Sequence, residues 1–61
     1  MNYEIEREIE EIVDEVANFL YSVEDGAHKL KRFLSNCGYK DKRTLVSAIK
    51  AYEKACRNRG L

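Results

Sequence analysis

The sequence predicts an all-α fold: a long amphipathic N-terminal helix packed on a hairpin of two shorter helices, a small three-helix domain spanning residues 1–61. Three observations carry this. Ile5, Ile9, Ile12, Val16, Phe19 and Val23 recur at alternating spacings of four and three, the period of a helix seam and not of a strand. Leu45, Ile49, Tyr52 and Cys56 form a second stripe of the same period. Proline is absent, and the three glycines, Gly26, Gly38 and Gly60, are the only strong helix interruptions.

The first helix is expected over about residues 3–23. Asn2 is its candidate N-cap, and glutamates crowd its first turns, where the helix dipole favours negative charge. Val13 and Leu20 widen the seam on one flank, as a core-facing helix requires. Glu4, Glu8, Glu11 and Glu15 form a ridge on the other. Like charges at that spacing repel, so basic side chains are expected beside the ridge, from the second helix or from a second copy.

The second helix is expected over about residues 24–37. Ser22-Val23-Glu24-Asp25 has the spacing of a capping box, and Gly26 follows. The rival is one uninterrupted helix reaching Cys37, because a glycine inside a helix costs only about 1 kcal/mol. This segment should bury Ala27, Leu30, Phe33 or Leu34, and Cys37. Gly38 supplies a left-handed stop.

Asp41 is the expected N-cap of the third helix, over about residues 42–58 and ending before Gly60. Val46, Ala48 and Ala55 flank its apolar stripe. At 100° per residue, Arg43, Lys50, Lys54 and Arg57 fall on nearly the opposite face with Ser47 among them, and Lys40 and Lys42 extend the charge at its start.

The zero net charge conceals a division. Nine of the eleven acids lie before Gly26 against Arg7 alone, a formal −8; ten of the eleven bases lie after it against Asp41 and Glu53, a formal +8. Apolar content of 44% suits a folded or self-associating chain over a disordered one. A chain this short buries only about 60% of the surface its unfolded form exposes. The first helix offers a longer apolar seam than the second can cover, so a homodimer is expected, with Ile5, Ile9, Ile12, Val16, Phe19 and Leu20 as the core and dimer seam.

Two cysteines are too few for a disulfide framework, and in a hairpin turning at Gly38 they lie roughly 20 Å apart at helical rise. Both thiols are expected reduced. With no apolar run long enough for a membrane span and no basic-then-apolar leader, the expected location is the cytoplasm.

The inventory argues against catalysis. His28 is the only imidazole, expected on an exposed helix side, and neither cysteine is near it in sequence or at zinc-site spacing. Glu10, Glu11 and Asp14 have the spacing at which helical carboxylates share a magnesium ion, but that chemistry needs a second acidic pair on a facing helix, where Glu53 stands alone. No phosphate-binding glycine loop or nucleophile elbow occurs. The expectation is a chain that is not an enzyme, with no cofactor, no metal and no small-molecule substrate.

Two contact faces remain. The acidic ridge of Glu4, Glu8, Glu11 and Glu15 could imitate a phosphate backbone; Tyr3 and Tyr21, off the seam with Ala17 between them in direction, form a candidate aromatic patch beside it. The basic face of Lys40, Arg43, Ser47, Lys50, Lys54 and Arg57 suits nucleic acid or an acidic partner. Helix, glycine turn and basic helix share the layout of helix–turn–helix proteins, yet Thr44 falls where an apolar recognition-helix residue belongs, and a pI of 6.6 removes net attraction to phosphate. The leading expectation is a small regulatory or inhibitory protein that binds another protein, of a kind frequent among phage and mobile-element products. The alternatives are a dimeric DNA-binding regulator and a structural homo-oligomeric assembly subunit.

Overall fold

The computed structural model describes residues 2–61 and contains three helices: α1 (Tyr3–Ala17), α2 (Val23–Asn36) and α3 (Lys42–Asn58). Each begins on a side-chain cap. The Asn2 carboxamide oxygen accepts from the Ile5 N–H at 2.9 Å, the Ser22 hydroxyl from Asp25 at 3.1 Å, and the Asp41 carboxylate from Thr44 at 2.9 Å. These contacts satisfy backbone donors that a helix start otherwise leaves unpaired.

The helices run up, down and up. The Asn2 side chain donates to the Tyr39 hydroxyl where α3 is about to begin, and Asp14 in the last turn of α1 pairs with Arg59 just past the end of α3 at 2.6 Å. α1 and α3 are therefore parallel, with α2 antiparallel to both. The core forms along their common axis from Ile5, Ile9, Ile12, Val13 and Val16 of α1, Leu30 and Leu34 of α2, and Ala48, Tyr52 and Cys56 of α3.

At Gly26, α2 closely approaches side chains of both α1 and α3. A Cβ built there would fall on the Tyr52 hydroxyl, with Ile12 Cγ2 3.0 Å away. Tyr52, fully buried, donates from that hydroxyl to the Val23 carbonyl at 2.6 Å. Burial raises its phenol pKa above the ordinary range, and neighbouring Cys56 adds to the rise. Gly26 is thus inside α2 as a close-approach residue, and the break between helices precedes it.

The structure departs from the sequence reading in several places. α1 ends at Ala17, not near residue 23, so it is shorter than α3 (15 against 17 residues). Phe19 and Leu20 leave the predicted seam and stand 91% and 66% exposed. Val23 joins α2. The seam that remains is covered by α2 and α3 of the same chain, which removes the argument that a second copy must cover it. Cys37 is exposed because it is the C-cap of α2, whereas Cys56 is buried as expected; both are free thiols. On α3 the buried line is Ala48, Tyr52 and Cys56, while Leu45 and Ile49 are half-buried at its edge.

Candidate interaction surfaces

The end of α1 is the most distinctive local geometry. Past Ala17 the chain turns through Asn18, and Phe19 adopts a left-handed backbone, φ +63°. The Phe19 N–H bonds the Val16 carbonyl and the Leu20 N–H bonds the Glu15 carbonyl, both at 3.0 Å. This is the two-bond helix stop in which glycine normally takes the left-handed position. α2 ends the same way: Gly38 at φ +86°, its N–H on the Ser35 carbonyl, and the Tyr39 N–H on Leu34. α3 repeats it with Gly60 at φ +75° and Leu61. Phe19 is the only non-glycine at positive φ among the described residues. A Cβ in that conformation costs roughly 1 kcal/mol or more, and the ring of Phe19 reaches solvent instead of returning the energy through burial.

Beside this turn lies an open cleft of about 480 Å³ lined by Ser22, Val23, Glu24, Asp25, Ala27, Tyr52 and Glu53. Its charged side chains are all acidic. Farther along the same α2–α3 side is a groove of about 360 Å³ lined by Lys31, Leu45, Val46, Ile49, Lys50 and Glu53. Its floor is aliphatic and its rim mostly cationic. Glu53 borders both.

The acidic ridge is partly engaged inside the chain. Glu15 accepts from the Lys29 ammonium at 3.0 Å and from the Tyr21 hydroxyl, and the ammonium lies 5.3 Å from the Tyr21 ring centre. Glu8 shares a shallow hollow with Lys29, Arg32, Phe33 and Asn36. Partial burial raises the Glu8 pKa, and the nearby Glu11 charge raises it further, against an opposing pull from Lys29. Glu4 and Glu11 are exposed. The ridge therefore divides into a pair of acids facing α2 and a pair facing solvent.

Tyr3 and Tyr21 do not form one patch. Tyr3 is 74% exposed at the start of α1, whereas Tyr21 lies beyond its end and packs against the core. The helix from Tyr3 to Ala17 alone spans about 21 Å at helical rise, and Tyr21 lies beyond its end.

Lys40, Arg43, Ser47, Lys50, Lys54 and Arg57 are all exposed. The two ion pairs among the described residues, Lys29–Glu15 and Arg59–Asp14, use none of them. His28 is exposed. No helix of the described residues is long and apolar enough to cross a membrane. Comparison with protein-family models, with curated proteins and with solved structures gives no match.

The sequence reading missed the Phe19–Leu20 tip as a surface feature because both residues fit the seam period. The available signal was Asn18, a residue suited to helix ends, with Ser22 as a new helix cap only four residues on.

Proposed function

We propose that this chain is a small non-enzymatic regulatory or inhibitory protein that acts by docking on another protein, with the Phe19–Leu20 turn as its apolar anchor and the surrounding acids steering the encounter. One observation carries the reading. Phe19 holds a backbone conformation in which glycine serves the other two helix ends, and its ring is 91% exposed. The fold gains nothing evident from that side chain, whereas an exposed aromatic on a fixed turn is the kind of group that dominates protein interfaces. Glu24 and Asp25, exposed beside the turn, favour a partner whose apolar pocket has a basic rim.

The test is affinity capture with immobilised protein, comparing wild type with Phe19→Gly and Leu20→Ala. A partner retained by wild type and lost with both variants, each still folded, supports the reading. Equal retention by all three removes the anchor.

The unneutralised basic face supports a second reading, a DNA-binding regulator using Arg43, Ser47, Lys50, Lys54 and Arg57. Titration against random-sequence duplex DNA tests it: affinity should fall steeply with salt, and Lys50→Glu with Lys54→Glu should abolish binding. Absence of binding at low salt eliminates it.

A further inference from the structure

We infer that the α2–α3 side of the molecule is a self-complementary docking face for a second copy of this chain, in which the Phe19–Leu20 tip of each copy covers the Leu45–Val46–Ile49 groove of the other. This rests on the reading of the tip as an anchor and names an occupant for it.

The face has two unlike halves. One carries the cleft with Glu24, Asp25 and Glu53, immediately after the exposed tip. The other carries the aliphatic groove with Lys31 and Lys50 on its rim and Val46 exposed. The halves adjoin at Glu53, and their charged centres, Asp25 and Lys31, are about 10 Å apart along α2 at helical rise. A two-fold axis beside the boundary, off Glu53 so that the two Glu53 carboxylates do not meet, sets the acidic half of one copy on the basic half of the other. The same operation repeats the contact, as a closed dimer requires. Apolar knob meets apolar groove, and Glu24 and Asp25 meet Lys31 and Lys50.

The small end of stable interfaces takes about 600 Å² from each partner, roughly one-seventh of the 4407 Å² the chain exposes, so tip, cleft and groove must all take part. This contact differs from a dimer through the α1 seam, which is buried within the chain. It also occupies the anchor, so assembly with a second copy and docking on another protein exclude each other.

Sedimentation of the purified protein across the micromolar to sub-millimolar range tests the face by charge exchange. Wild type should dimerise. Lys31→Glu with Lys50→Glu in one variant, and Glu24→Lys with Asp25→Lys in another, should each weaken dimerisation by about tenfold or more, since like charges then oppose one another. An equimolar mixture of the two should recover it as a heterodimer, because each tip again meets a groove of opposite charge. Circular dichroism establishes that each variant is helical. Phe19→Gly, which relieves backbone strain and so does not threaten the fold, should also weaken dimerisation about tenfold or more. A wild type that is monomeric throughout, or charge variants that fail to recover on mixing, overturns the face; the anchor then stands or falls on the capture experiment alone. A wild-type dimer unaffected by Phe19→Gly overturns the tip's part in the contact.

Discussion

The two turns that join the helices use the same pair of backbone hydrogen bonds and fill them differently. At the α2–α3 turn, Gly38 takes the left-handed position without strain, and Tyr39 after it packs against the core and hydrogen-bonds with Asn2 at the start of α1. At the α1–α2 turn, Phe19 takes that position and Leu20 follows, both in solvent. In the first arrangement both of these positions serve the fold. The second carries a strained backbone and two exposed apolar side chains on the same hydrogen-bond scaffold. Where two equivalent turns diverge this far, the residue that does not help the fold is the place to look for a partner.

Substitutions at matched positions separate the two turns. The largest effect is expected at Leu34, whose carbonyl closes the α2–α3 turn and whose side chain is fully buried: Leu34→Ala should destabilise by about 3 kcal/mol in chemical denaturation, against almost nothing for Leu20→Ala. Gly26→Ala should cost about 2 kcal/mol, because the new methyl displaces the Tyr52 hydroxyl from the Val23 carbonyl. At the paired left-handed positions the signs should oppose: Gly38→Ala loses about 1 kcal/mol and Phe19→Gly gains up to about 1 kcal/mol. Two equal signs there would mean the turns are not equivalent.

The smallest effect is electrostatic. Glu8 has a folded-state pKa raised above its ordinary 4.5. Its favourable contribution is therefore complete below pH 4.5 and is lost as pH rises through the folded value. Glu8→Gln should be slightly more stable than wild type at neutral pH, with the difference vanishing in acid. A denaturation series across that range measures it.

Much of the fold was legible in the residues. Asn2, Ser22 and Asp41 signalled helix starts through cap chemistry, Gly38 and Gly60 signalled stops, and the early seam from Ile5 to Val16 is the buried face of α1. What could not be read has specific causes. Phe19 and Leu20 continue the seam period, and no local rule assigns phenylalanine to a left-handed helix stop, so the pattern alone predicts α1 running through them. Gly26 reads as a breaker in sequence and acts as a spacer in the structure, because its meaning depends on Tyr52, far along the chain. Cys37 has core character by type and period, yet lies on the cap residue, where the helix face no longer points inward. Among the candidate surfaces, the residues of the basic face are exposed. The acidic ridge divides because Lys29 reaches Glu15, a pairing set by how the helices cross.

On the proposed function, Phe19 serves contact with a partner and not the fold. The most direct measurement is the denaturation midpoint of Phe19→Gly beside wild type, at a concentration low enough to keep both monomeric. A midpoint at or above that of wild type is expected. A clear fall, of about 1 kcal/mol or more, would mean that the Phe19 side chain stabilises the monomer, and the claim would fail.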